Sequence, residues 1–195
     1  MAYLHDSLAH LELFEGIVPW MYLDTHGFVT VGVGERLATA ERAQSLAFQD
    51  GKGQPATPDV ILAEYRRVIA LPHGKLAGFY RSPASPTLPH PDIDALLMNH
   101  LTFFDSQLGR HLPNYAGFPD PVKLGLLDMV FNLGVTGLLH GYPVFLDHVR
   151  SQDWANAAIH CHRTGPSHTR NDWTRDQFLA AATLAATASA IAVSA

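Results

Sequence analysis

Leu4, Leu8, Leu11 and Phe14 recur at the three-to-four spacing of a single helix face, and Gly16 followed by Pro19 marks where that helix stops. Glu15 falls at its C-terminal edge. The period then changes. Trp20 to Leu23 and Phe28 to Val33 are aromatic and β-branched runs separated by Asp24-Thr25-His26-Gly27, where Asp at the first turn position and Gly at the fourth favour a type I turn. A hairpin is predicted there. A helix is predicted from Thr39 to Phe48, and GKGQPATP at 51–58 interrupts it with turn-formers. Thr57 as N-cap and Pro58 at the first helical position open a longer helix to about Ala70, with Ile61, Leu62, Tyr65 and Val68 along it. Residues 72–91 hold five of the thirteen prolines and predict an extended surface loop, long enough to imply a role of its own. Beyond it the spacing is helical again: Ile93, Leu96, Leu97, Leu101, Phe104 and Leu108 share one face. Further starts are signalled at Asp120-Pro121, at Asp153-Trp154 and near Asn171 or Asp172.

The predicted fold class is α+β, mostly α, as a single domain over residues 1–195. It divides into a small helix-plus-hairpin lobe of about residues 12–56, with helix 1–15 packing near the hinge, a connecting helix of about 58–71 and a helical lobe of about 92–195.

Composition narrows the function. With 195 residues and 47% hydrophobic content the chain can bury a core, so disorder is excluded as a description of the whole. A net charge of -5 and the lack of a basic patch argue against a nucleic-acid partner. Cys161 is the only cysteine, so the fold relies on its core rather than on an intrachain disulfide. The first residues carry Asp6 and no Lys or Arg, unlike a secretory leader, so synthesis in the cytoplasm without a signal peptide is expected. From Gln177 to Ala195 the chain is uncharged but mostly Ala, Thr and Ser, which favours a terminal helix over a stable membrane span. His160 and His162 flank Cys161, yet residues two apart on a helix point in different directions and no Cys-x-x-Cys or His-Glu-x-x-His occurs. No metal and no cofactor are expected. Gly32-x-Gly34 has neither the third glycine nor the β-α-β setting of a nucleotide site.

The pair Glu15 and Asp24, nine positions apart, is the main candidate chemistry. Cleaving a glycosidic bond needs one carboxyl that donates a proton and another that stays ionised. Glu15 lies where unpaired helix carbonyls concentrate negative potential and disfavour a carboxylate, which suits the acid. Asp24 heads a turn whose following amides favour its charged form, which suits the base. An acid at a helix end and an aspartate in a turn are also commonplace structural features, and the pattern alone does not separate the two readings.

The stretch resembles the phage-type lysozyme family, glycoside hydrolase family 24, in Glu15-Gly16, in Tyr22-Leu23-Asp24-Thr25-His26-Gly27 and in Thr30-Val31-Gly32-Val33-Gly34. Met129-Val130-Phe131-Asn132-Leu133-Gly134-Val135-Thr136-Gly137 looks like that family's later helix and turn, and Trp154-Ala155-Asn156-Ala157-Ala158-Ile159 resembles a further helix of it. Residues from about 36 to 120 match poorly, with the proline-rich stretch as an apparent insertion. The resemblance implies Glu15 as proton donor, Asp24 as the carboxylate on the opposite face and Thr30 holding the attacking water. It implies Arg36, Phe131, Asn132 and His160 as substrate contacts and Arg170 as a partner of the acid, although the residue types at Arg36 and His160 depart from the family's. Glu35 stands where the family often has His, so a salt bridge made by that His cannot be carried over.

The implied activity is a muramidase that cuts the β-1,4 bond between N-acetylmuramic acid and N-acetylglucosamine, with peptidoglycan glycan strands as partner. It would act in the periplasm as a phage endolysin or as an interbacterial toxin, the latter with an immunity protein and a secretion-system carrier. The acidic charge and the insert tilt the reading to the toxin. Two alternatives remain: a lytic transglycosylase, which would use one Glu and form an anhydro product, and a non-catalytic wall-binding module.

Overall fold

The computed structural model describes residues 2–193, and these fall into two compact units. One is Leu11–Met98; the other takes the chain through His10 together with Asn99 onward. The chain passes between them inside helix α1 (Ala2–Glu15) and again inside α4 (His90–His111).

The unit Leu11–Met98 is built on a three-stranded antiparallel sheet in the order β1 (Val18–Leu23), β2 (Val29–Gly32), β3 (Glu35–Arg36). Its hairpin turn is closed by Gly27 N–H donating to the Asp24 carbonyl at 3.1 Å, the bond expected of the sequence's Asp-x-x-Gly. The third strand, only two residues long, was not foreseen. Helix α2 (Ala40–Gln44) stops four residues short of the predicted Phe48, capped at Thr39, whose hydroxyl accepts from Arg42 N–H at 3.2 Å. Helix α3 (Pro58–Ile69) has the predicted Thr57 cap and packs on α2, β1 and β2, lying wholly within this unit. Buried Glu35 pairs with Arg42 Nη2 at 2.8 Å, so an acid joins β3 to α2 where the resembled family often has a histidine.

Residues 72–91 are irregular and mostly exposed, as predicted, but the segment is anchored rather than simply extended. They contain a 3₁₀ turn at Ala77–Tyr80, Gln49 pairs with Thr87, and α4 already begins at His90. Tyr80 is 0% and Leu88 1% exposed, so the prolines punctuate a segment that is anchored by its apolar side chains.

Gly32 ends β2 at a positive φ of 67°, and a Cβ placed on it would stand 3.0 Å from Ile93 Cγ2 on α4. Both the backbone conformation and the space therefore demand glycine. Gly32→Ala is expected to cost about 1–3 kcal/mol in urea unfolding; a change below about 0.5 kcal/mol would show that the contact yields freely.

In the other unit α5 (Asp120–Gly141) packs on α8 (His168–Val193), with α6 (Pro143–Arg150) and α7 (Trp154–His160) beside them. Gly125 brings α5 against Phe178, whose ring meets Phe145 edge-on at 5.2 Å. Helix α5 breaks at Gly134 (φ 70°, ψ 165°), inside the Met129–Gly137 segment read as helix and turn. It is the described helix long and apolar enough to cross a membrane, but half of its apolar window is buried and Asp128 lies within it, as in a core helix. Helix α7 has Asp153 as its cap, as predicted, whereas α8 starts at His168, ahead of the expected Asn171 or Asp172. The uncharged terminal run continues α8; residues 194 and 195, and residue 1 at the other end, lie outside the described residues.

The architecture, mostly helical with one small antiparallel sheet, is the predicted α+β class.

Candidate active site

Helix α1 ends as its sequence requires. Gly16 takes φ 75° and its N–H bonds the Glu12 carbonyl at 3.0 Å, a left-handed cap that leaves Glu15 exposed on the last helical position. Asp24 is held differently. Its Oδ1 accepts from the backbone N–H groups of His26 at 2.9 Å and Phe28 at 2.8 Å, so the carboxylate is clasped by its own turn. Oδ2 takes no part in that clasp.

The sheet register decides what accompanies Asp24. Tyr22 lies opposite Thr30, and Thr30 lies opposite Arg36. Because side chains alternate along a strand, Tyr22, Thr30 and Arg36 form one row across the sheet, and Asp24 follows the end of β1 at the turn. Thr30 is 2% exposed, and its hydroxyl donates to the Phe28 carbonyl at 2.9 Å, leaving oxygen lone pairs as acceptors. Arg36 is exposed, its guanidinium 3.1 Å from the centroid of the Phe28 ring.

Tyr22 is half-buried. Burial pushes its phenol above the usual range, and the negative charges of Asp24 and Glu15 push it further. In the sequence Tyr22 stands out only as the first residue of the Tyr22-to-Gly27 match.

The remaining expected contacts belong to the other unit. Phe131 is half-buried on α5 and meets Phe104 edge-on at 6.3 Å, while Asn132 beside it is exposed. His160, exposed at the end of α7, stacks on His148 with centroids 5.2 Å apart, and His148 Nδ1 lies 3.4 Å from Asp153. Arg170 directs Nε to Asp128 Oδ1 at 2.7 Å, in a buried cluster completed by Arg163, Thr174 and His10. Nothing in the sequence marked Asp128 as the centre of that cluster.

Cys161 is buried, and burial pushes its thiol up to about 11, which suits a core residue and not a nucleophile. Among the described residues one trio could hold a metal ion, Glu12, His90 and Asp94, whose ligating atoms lie within 4.8 Å of one another. His90 Nε2 stands 3.0 Å from Glu12 and 3.2 Å from Asp94, and the Glu12 hydrogen bond raises the proton affinity of His90. That is the arrangement of an imidazolium held between two carboxylates, and any cation would have to displace its proton.

No protein-family model matches this chain, and no curated protein matches it. Among solved structures it is similar to a crystal structure of a mutant of P22 lysozyme, with a TM-score of 0.53 and 18% identity over 89% of this chain and 95% of that one. A likeness at that identity speaks to the fold, and the fold is lysozyme-like.

Proposed function

We propose that the chain is a muramidase that hydrolyses the β-1,4 bond between N-acetylmuramic acid and N-acetylglucosamine in peptidoglycan. The observation that supports this reading is Asp24 clasped by its own turn beside the cross-sheet row of Tyr22, Thr30 and Arg36. In the proposed reaction Glu15 gives its proton to the leaving sugar oxygen as the C–O bond breaks. A water molecule, hydrogen-bonded by Asp24 and Thr30, attacks the anomeric carbon from the opposite face and passes its proton to Asp24. Arg36, Phe131, Asn132 and His160 are proposed to contact the sugar, and Arg170 to act electrostatically on Glu15. No step requires a cofactor.

Two carboxylates and a water-holding threonine favour hydrolysis over the single-acid chemistry of a lytic transglycosylase. The two differ in product mass, because hydrolysis adds one water per bond cut and anhydro formation adds none. Digestion of isolated sacculi should therefore release products with free reducing ends. Anhydro products would overturn the hydrolytic assignment, and wall binding without release would favour a non-catalytic module.

The same reading proposes cell-wall action in the periplasm, either after phage lysis or as an injected antibacterial toxin. The toxin would require a carrier for delivery and an immunity protein in the producing cell.

A further inference from the structure

Three side chains from two helices converge on one point of the unit Leu11–Met98. Glu12 stands in the last turn of α1, and His90 and Asp94 stand one turn apart at the start of α4, with His90 78 residues beyond Glu12. His90 Nε2 lies 3.0 Å from Glu12 Oε1 and 3.2 Å from Asp94 Oδ1, and the ligating atoms of the trio all lie within 4.8 Å of one another. A tetrahedral zinc ion with bonds of about 2.0–2.2 Å has neighbouring ligand atoms about 3.3–3.5 Å apart. Two edges of the trio are within a few tenths of an ångström of that spacing. Three protein ligands leave the fourth corner to water.

Hydrogen bonding does not complete this trio. The single Nε2–H of His90 bonds Glu12, and Asp94 Oδ1, a buried oxygen facing the same nitrogen, accepts no hydrogen bond. One proton cannot serve both carboxylates, whereas a cation centred among the three atoms serves all of them and removes the cost of the bare buried oxygen. The ligands are also held on fixed elements. Ahead of His90, Leu88 is 1% exposed and its N–H bonds the Pro19 carbonyl at 2.7 Å; after it, Ile93 is 1% exposed against Gly32. Glu12 follows the fully buried Leu11, and its carbonyl takes the Gly16 N–H that caps α1. The ends of α1 and α4 carry opposite partial charges, so the two carboxylates set the sign of the field between them. One imidazole nitrogen with two carboxylates suits zinc and its late first-row neighbours, and not magnesium or calcium, which take oxygen ligands.

We propose that Glu12, His90 and Asp94 bind one zinc ion, with a water molecule as fourth ligand, and that the ion staples the last turn of α1 to the first turns of α4. Zinc takes the place of the proton on His90 Nε2, which passes to solvent. The site is structural and independent of the proposed reaction, although Glu12 shares with Glu15 the helix turn that the ion fixes.

The test uses the full chain, freed of metal by a chelator and dialysed to near neutral pH. Titrated with zinc chloride in a calorimeter, it is expected to bind one equivalent, and zinc at about a hundred times its Kd should raise the thermal midpoint by about 5–10 °C. Cobalt(II) should bind with the same stoichiometry and give the intense visible bands of a tetrahedral complex. His90→Ala and Asp94→Asn should each weaken zinc binding by at least about tenfold and abolish the midpoint rise. Both side chains are partly exposed, so each variant should fold, and its metal-free midpoint separates lost ligation from lost structure. Magnesium and calcium at the same concentration should leave the midpoint unchanged. The stacked His148 and His160 form a competing place for the ion, and His148→Ala should leave zinc affinity as it is. No binding by the wild type, binding that survives His90→Ala and Asp94→Asn, binding lost in His148→Ala, or the weak bands of octahedral cobalt would each overturn the site.

Discussion

Glu15→Gln is expected to lower the rate of sacculus hydrolysis by about 10²–10⁴-fold, the usual contribution of a positioned general acid. The amide keeps the size and hydrogen-bonding reach of the carboxyl but has no proton to give to the leaving oxygen. The fold should not suffer. Glu15 is exposed on the last position of α1, where a negative charge sits among unpaired helix carbonyls, so removing the charge does not weaken the helix end. Loss of turnover without loss of the thermal midpoint is the signature of a group kept for chemistry. Glu15→Asp provides a second measurement: it retains the proton but shortens the reach by one methylene, and activity should fall without vanishing. Full activity in Glu15→Gln would end the assignment whatever the fold.

Local rules made the hairpin unit legible and long-range pairing hid the rest. Thr57-Pro58 and Asp24-x-x-Gly27 carry their structural instructions within four residues, and both elements form where those instructions stand. Helix α2 ends early because Phe48 is buried and Gln49 pairs with Thr87 and Pro55, partners that a local pattern cannot reveal. The anchoring of the insert was hidden for a related reason. Its prolines do exclude a regular element of any length, but they say nothing of whether Tyr80 and Leu88 find a core to enter. At the candidate site, the two carboxylates were singled out by their places at a helix end and in a turn, whereas Thr30 and the substrate contacts came from the resemblance alone. The row of Tyr22, Thr30 and Arg36 across the sheet depends on the strand register, which a local pattern does not give.

Asp128→Asn is expected to destabilise the chain by about 3–5 kcal/mol, a large share of the 5–15 kcal/mol of an ordinary domain. Asp128 is 1% exposed in the middle of α5. Its oxygens take Arg170 Nε at 2.7 Å and Thr174 Oγ1 at 2.6 Å, with an Arg163 ion pair and His10 Nε2 at 3.3 Å, while His10 stacks on Trp173 with centroids 3.3 Å apart. Burial alone would push this carboxyl up; His10, the two guanidiniums and Thr174 together hold it well below the usual carboxylate range. The asparagine fills the same space but leaves Arg163 and Arg170, both buried, without their counter-charge, which is why one substitution costs more than replacing the whole cluster by apolar residues would. The same cluster sets an acid limit. A folded-state proton affinity below that of the unfolded chain means the unfolded state binds more protons, so the stabilisation is complete above about pH 4 and is lost as pH falls through that value toward the folded-state one. Urea midpoints measured from pH 7 to pH 3 should fall in the wild type and fall less steeply in Asp128→Asn. Parallel curves would show that other carboxylates carry the acid sensitivity, and a penalty under about 1 kcal/mol at pH 7 would show that the two arginines find new partners.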